Sequence, residues 1–551
     1  AFPLTNTGKV RVEEVRAALA TTATPNRPQG QLEAQISGIF GNALGLASVP
    51  SSHHFLDLGG DSLSATRVLS ELHRAFGVTL SHADLLDAGS VDGVASRVER
   101  EQASPRTTAP APFMPTRSGG TPASTCEIAI WIGHLVGPDT AYNVQSLIEF
   151  TGVLDEAALE SAASQLLARH DALRTGFVLA GQRLWRRECD AADLSSYWSV
   201  EFGTNSRATL DLIAKAELDT PFDPSAAPLV RFRLVHASPG NAALIITMHH
   251  LIVDGPSMDV LVGDLGSLYA EHVGNTTRLE PLTCTAADAA SWKEAFRATG
   301  AYMDSVAFWS ERLADAPLQV DWPGAPVPTG TLRSVRRTMG KELQTPPSGL
   351  RTTAFIFVES VWKIVISALS GATDLTFAVP VSARPSDAYD SVVGCFIETM
   401  PFRSRLEHES FRAFVKRETA HAFRAYTHKQ VPLDDMLAAR RHRGEAPPMG
   451  RSPISILFSS DEVDPRVDFG PSVDARRTPV ARGTPPYDLA IYVRTFSMEL
   501  TDVELVADSG ILTGERAESL LGTFEAIIAE VRADPERRLA DLLERASRHL
   551  G

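Results

Sequence analysis

The chain has 551 residues and an acidic balance, with 52 Lys and Arg against 67 Asp and Glu and a formal net charge of -15. With no basic block along it, that balance excludes a nucleic-acid binder, whose affinity rests on phosphate neutralisation, and an anchor to an anionic membrane surface. A 44% share of hydrophobic residues with 22% charged excludes a disordered chain, and a prior of about 150 residues per domain gives about three or four folding units. The expectation is a small unit plus a large one.

Cys126, Cys189, Cys284 and Cys395 stand far apart, without the spacing of a disulfide framework or a thiolate zinc site. The cytoplasm is the expected compartment. The longest apolar runs are short or, between Ala354 and Leu369, broken by Glu359 and Lys363, so no segment spans a bilayer. The N-terminus lacks both a starting Met and a signal pattern, and the chain reads as a monomeric fragment of a longer polypeptide.

In chain order, residues 1–20 come first and 21–30 form a Pro- and Thr-rich linker. Residues 31–98 carry apolar positions at helical spacing: Leu32, Ile36, Ile39, Phe40 and Leu44, then Ala65, Val68, Leu69, Leu72 and Phe76, then Val91, Val94 and Val98. This predicts a small all-α bundle of three helices. In its middle, Leu58-Gly59-Gly60-Asp61-Ser62-Leu63 puts two glycines and a capping Asp before a helix with a hydroxyl in its first turn. A helix N-terminus, with its free amides and positive dipole end, favours a phosphate there; Ser62 could equally be part of an N-cap box.

Residues 99–122 form a Pro-rich linker, and from 123 onward helices alternate with β-rich runs: 143–151, 229–235, 242–247, 375–380, 454–458 and 489–494. That alternation predicts a mixed α and β architecture. A further Pro-rich stretch, 317–331, divides this unit into lobes of about 123–316 and 330–551. An apolar strand runs into His249-His250-Leu251-Ile252-Val253-Asp254-Gly255. Neighbouring side chains on a strand diverge, so one His faces a cleft and the other the core, and no third ligand stands at metal spacing. Imidazole titrates near neutrality, as an acyl-transfer site needs.

These strings carry a resemblance. Residues 55–63 resemble the attachment site of peptidyl carrier proteins, which implies a covalent 4'-phosphopantetheine on Ser62, placed there by a phosphopantetheinyl transferase. Residues 2–10, Phe-Pro-Leu-Thr-Asn-Thr-Gly-Lys-Val, resemble the last motif of an adenylation domain, with Lys9 as its lysine, and imply an adenylation domain upstream. The His-His-x-x-x-Asp-Gly string resembles the condensation superfamily of nonribosomal peptide synthetases. Arg169 to Phe177, Asp288 with Trp292, Gly394-Cys395-Phe396 with Thr399, Val431-Pro432, and Arg451-Ser452-Pro453 with Phe458 resemble further motifs of that family.

The resemblance implies a two-lobed α/β (α+β) fold like chloramphenicol acetyltransferase and peptide-bond formation between tethered aminoacyl or peptidyl thioesters. The donor would sit on Ser62 and the acceptor on a downstream carrier. It gives His250 the role of base or of positioning group for the attacking amine. His249 and Asp254 would be structural, Gly255 would permit close approach, Arg384 would pair with Asp254, and His170, Arg174 and Trp292 would support the framework. Departures from the family pattern occur at Cys126-Glu127 and Ala129-Ile130-Trp131 in the first motif and at Glu398, a position where Asn is common. An unpartnered buried Glu398 would be costly and would disfavour anionic acceptors. An epimerase of the same fold and a non-catalytic platform remain alternatives; a heterocyclising variant would carry Asp in place of the His pair.

Overall fold

The computed structural model describes residues 30–103, 120–190, 197–202, 207–275, 278–322, 332–445, 452–478, 486–497 and 500–550. The adenylation-like segment with Lys9, and Arg451, lie outside these residues. Residues 31–103 form four helices: α1 (Gln31–Leu44), α2 (Ser62–Phe76), α3 (His82–Ala88) and α4 (Val91–Ala103). They close over Ile36, Phe40, Phe55, Val68, Leu72 and Val94, with Phe40 and Phe55 edge to face at 5.5 Å. The sequence pattern missed α3, whose seven residues are too few for a period. A Ser81–Asp84 capping box and an Arg97–Asp84 ion pair hold it. Helix α4 continues to Ala103, so the expected linker begins later than residue 99.

The linker also ends earlier than residue 122. Thr121–Pro122, strand β1, pairs with a hairpin described below, ahead of helix α5 (Thr125–Val136). Next come β2 (Asn143–Gly152), α6 (Glu156–Arg169), the β3 (Thr175–Ala180) and β4 (Arg183–Glu188) hairpin, β5 (Trp198–Phe202) and α7 (Arg207–Leu218). Strands β6 (Val230–Ser238) and β7 (Asn241–His249) are followed by α8 (Gly255–His272), α9 (Ala286–Arg297) and α10 (Gly300–Arg312). The second half holds β8 (Leu332–Met339), α11 (Ala354–Ser370), β9 (Asp374–Ser382), β10 (Ile397–Arg405), α12 (Phe411–Thr427), α13 (Leu433–Met436) and α14 (Ala438–His442). Strands β11 (Ile456–Glu462), β12 (Arg466–Val467), β13 (Val473–Thr478), β14 (Leu489–Ser497) and β15 (Leu500–Asp508) precede helices α15 (Gly514–Ala533) and α16 (Leu539–Leu550).

Two six-stranded sheets organise these elements, in the orders β12-β13-β2-β7-β6-β5 and β10-β9-β11-β14-β15-β8. The six strands read from the sequence are all present. Most of the others are short, at sheet edges, or rich in Arg, while β15 is a nine-residue internal strand whose apolar positions are interrupted by Asp502 and Glu504. After β11 the chain leaves the second sheet, adds β13 beside β2 of the first, from Val473 opposite Gly152 to Thr478 opposite Leu147, and returns as β14, parallel to β11. The expected lobe partition is therefore crossed by residues 466–478. Helices α9 and α10 cross it the other way, since Trp292, Phe296, Tyr302 and Trp309 join the core of the second sheet.

Helix α11 is buried on nearly every face. Its two interrupting charges, Glu359 and Lys363, sit one turn apart at 2.8 Å, and Lys363 also donates to Ser404 at 2.6 Å and Glu418 at 3.3 Å. No helix among the described residues is long and apolar enough to cross a membrane.

Candidate functional site

In the small unit, helix α2 is capped by Asp61, which accepts from the Ser64 amide at 2.7 Å, while the Ser64 hydroxyl accepts from the Asp61 amide at 2.8 Å. Asp61 and Ser64 thus complete the capping box, and Ser62 is the first helical residue rather than the cap. The glycines before it are obligatory. Gly59 lies at φ +87, and a Cβ on Gly60 would sit 2.3 Å from the Phe55 ring.

The same helix faces the large unit. Arg67 lies 3.6 Å from Asp390, Arg74 reaches Asp387 at 2.5 Å, and Ser70 donates to Asp387 at 3.0 Å. Arg351 pairs with Asp57 at 3.1 Å, and the His82 ring lies 6.0 Å from that of Tyr426. Solvent-facing pairs of this kind contribute about 0–1 kcal/mol each, so they define a seat without locking the unit into it. No local sequence signal pointed to Asp387, Asp390 or Arg351, because their partners lie about three hundred residues away.

In the large unit, β7 ends at His249 and the chain turns through a short 3-10 segment, His250–Ile252, into α8. The His249 side chain is fully buried. Its Nδ1 accepts from the Leu251 amide at 3.2 Å, which leaves Nε2 as the protonated nitrogen facing His134 Nδ1 at 3.3 Å. Burial, then the proximity of His134 and His250, lowers its pKa to about 3. His249 is therefore a neutral framework group, and His134 is the partner that the sequence did not reveal. His250 is half-buried, anchored by its amide to the Tyr142 carbonyl at 2.8 Å, and its side chain lines a cavity.

Asp254 caps α8 through the Ser257 amide at 2.9 Å, and its other oxygen accepts from the Phe396 amide at 2.9 Å. Arg384 approaches that oxygen at 3.5 Å, so the expected pairing is present but long. The shorter Arg384 contacts go elsewhere: to Ser257 Oγ at 2.8 Å, the Tyr389 carbonyl at 3.1 Å and the Val392 carbonyl at 3.2 Å, with the guanidinium over the Phe396 ring at 4.4 Å. Arg384 thus joins the end of β9 to the start of α8. At Gly255 a Cβ would meet nothing nearer than Asp461 Oδ1 at 3.8 Å, so this glycine opens the cavity wall and is not forced by backbone contact.

Glu398 does not face the cavity unpartnered. It accepts from Lys293 Nζ at 2.6 Å and from Thr125 Oγ1 at 3.0 Å, and both charges are buried. Burial alone would lower Lys293, but the Glu398 carboxylate overrides it and holds the ammonium above its ordinary value. Glu127 is likewise compensated. Arg186 bridges it to Asp171, whose carboxylate accepts from the first amides of α9 at 3.0 and 3.1 Å. His170 contacts Asp264 at 3.0 Å, Arg174 donates to the Leu167 and Cys189 carbonyls, and Trp292 stacks on Phe296 at 5.1 Å. These three lie in the framework, away from His250.

The cavity measures about 2120 Å³, beyond the roughly 300–1,000 Å³ of small-molecule pockets. Its wall includes Tyr142, His250, Asp254 and Gly255 from the first half and Ser382, Arg384 and Glu398 from the second. Asp61, Thr66, Arg67 and His82 of the helical unit line it as well. Glu462, at the end of β11, lines the same cavity as Asp61, the residue before Ser62.

Residues 128–548 match the condensation domain family, and residues 34–98 match the phosphopantetheine attachment site family. Tyrocidine synthase 2 of Brevibacillus parabrevis is 26% identical over 98% of this chain and 15% of its own length. Gramicidin S synthase 2 of Aneurinibacillus migulanus is 25% identical over 98% of this chain and 12% of its own length. The chain spans only a small part of either relative. Among solved structures, the X-domain from teicoplanin biosynthesis superposes with a TM-score of 0.68 at 21% identity, over 78% of this chain and 99% of that one. The first condensation domain of the calcium-dependent antibiotic synthetase gives 0.64 at 20% identity, over 77% and 98%. At these identities the structural likeness speaks to the fold.

Proposed function

Because the chain belongs to the condensation-domain family and carries a phosphopantetheine attachment domain ahead of it, we propose that it joins a donor acyl group held on its own carrier to the amine of an acceptor held on a second carrier, forming an amide bond. The observation that carries this reading is the shared cavity: Asp61, beside the attachment position, and His250 line the same space.

The first turn of α2 fits the arm, since it begins a fifteen-residue helix whose N-terminal amides and dipole favour a phosphodiester. When attached, the arm supplies a thiol that carries the acyl group as an activated thioester. The remaining work belongs to the chain. The two sheets wall off water, and the seat formed by Asp387, Asp390 and Arg351 orients the carrier toward the mouth. His250, fixed by its amide and by the capped turn after it, accepts a hydrogen bond from the attacking amine and receives its proton as the new C–N bond forms and the C–S bond breaks. Holding two reactants in line is worth up to about 7–11 kcal/mol, so positioning is the larger part of the catalysis. An upstream adenylation domain, a downstream carrier, a phosphopantetheinyl transferase and a cytoplasmic setting complete the reading.

The test is to load Ser62 with an aminoacyl-pantetheine, add a downstream aminoacyl carrier and follow both proteins by intact mass. Transfer to the acceptor that vanishes in Ser62→Ala and falls strongly in His250→Ala supports amide formation. Exchange of the donor α-proton without transfer would instead indicate an epimerase, and no chemistry a platform.

A further inference from the structure

Lys429 follows α12, just before the Val431-Pro432 pair, and its half-buried side chain lines the cavity, as do Tyr426, Ser386 and Asp390. Among the described residues its Nζ makes no hydrogen bond or ion pair, the nearby Asp390 being engaged by Arg67 at 3.6 Å. A hydrated ammonium brought into a protein wall without a counter-charge is unfavourable, and a mobile anion relieves it. The groups around it are Asp390, Arg384 and Lys293 from the large unit and His82 from the carrier. Lys293 is matched by Glu398, Arg384 by Asp254 and Asp390 by Arg67, which leaves the Lys429 ammonium without an ion pair at this edge of the cavity.

The carrier contributes Asp61, Thr66 and His82 to the same cavity wall. Position 62 lies one turn before Thr66 on the same stripe of α2, and Thr66 Oγ1 meets His82 Nε2 at 3.0 Å. Burial first, and then the charge of Lys429, lowers His82 to about 3, so that ring is neutral.

We propose that Lys429 receives the phosphodiester of the arm carried by this chain's own Ser62, holding the carrier in the seat from which the arm enters the cavity. This rests on the reading of residues 34–98 as the attachment domain. Lys429 is a positioning residue: it touches the arm at its protein end, far from the bond that forms. Burial lowers its ammonium to about 8, with Arg384 and Lys293 adding to the effect against Asp390, and a docked phosphate opposes that depression.

The test uses phosphorus NMR of the whole chain loaded with the arm. A diester has no second ionisation, so any movement of its resonance between about pH 6 and 10 reports a neighbouring group losing its proton. The expected result is one inflection above about 8, absent in Lys429→Met. In Lys429→Arg the resonance stays displaced toward its low-pH position but no longer titrates, and this variant carries the test if the methionine protein does not fold. A wild-type resonance that does not move, or an inflection that persists in Lys429→Met, would overturn the proposal. Failure of the chain to gain the mass of the arm at Ser62 would strike the reading beneath it instead, and is seen before any titration.

Discussion

Replacing Arg384 by Ala removes the group that ties the end of β9 to the start of α8. The guanidinium donates to Ser257, Tyr389 and Val392 at 2.8–3.2 Å and faces Asp254 at 3.5 Å, and both Arg384 and Asp254 are under a tenth exposed. Hydrogen bonds from a charged donor contribute about 1.5–3 kcal/mol each, but four on one planar group do not add. The better guide is the loss of one partner from a buried ion pair, about 3–5 kcal/mol. Asp254 keeps its two backbone donors, Ser257 and Phe396, which places the expected loss near 3 kcal/mol, about a hundredfold in the folding equilibrium. Urea unfolding followed by tryptophan fluorescence measures it, with Arg384→Lys intermediate because an ammonium cannot make the same fork of contacts. A loss below about 1 kcal/mol in Arg384→Ala would refute the assignment of this residue as the tie.

Lys293→Met leaves Glu398 buried with only Thr125 and is expected to cost about 3–5 kcal/mol; pairing it with Glu398→Gln in a double-mutant cycle should return a large coupling, measured by denaturation. Glu359 is raised to about 7, chiefly by burial and against the pull of Lys363. A carboxyl whose folded pKa exceeds its unfolded value stabilises the fold only while protonated, so stability falls as pH rises from about 4.5 and levels off above about 7. Glu359→Gln should flatten that slope in denaturation scans, while Lys363→Met, which strands Glu359 and Glu418, should cost about 3–5 kcal/mol.

The parts of this molecule written in contiguous residues were legible in the sequence. The glycines and cap before Ser62, the apolar run into His249 and His250, and the turn to Asp254 are each a local arrangement whose backbone and side-chain demands appear within ten residues. What the sequence did not disclose depends on distant pairs. Glu398 looked like a lone acid because Lys293 lies over a hundred positions earlier, and His134 was an ordinary helix residue until β7 packed beside it. Residues 466–478 carry the strand alternation too briefly to mark a strand joining the first sheet, since in β13 only Val473 and Ala475 are buried, alternating with exposed Asp474 and Arg476, before Arg477 breaks the period. The carrier seat was invisible for the same reason, being made of exposed charges with no periodicity of their own.

Amide formation at this site requires that an arm on Ser62 run through the cavity to His250. Loading Ser62 with a pantetheine that ends in a thiol-reactive electrophile, in a chain carrying His250→Cys, and mapping the cross-link by peptide mass reads that path out directly. The expected product is an intramolecular link between positions 62 and 250 that is lost in Ser62→Ala. Efficient loading of Ser62 with no link at position 250, the electrophile being captured instead at the natural cysteines or left unreacted, would contradict it.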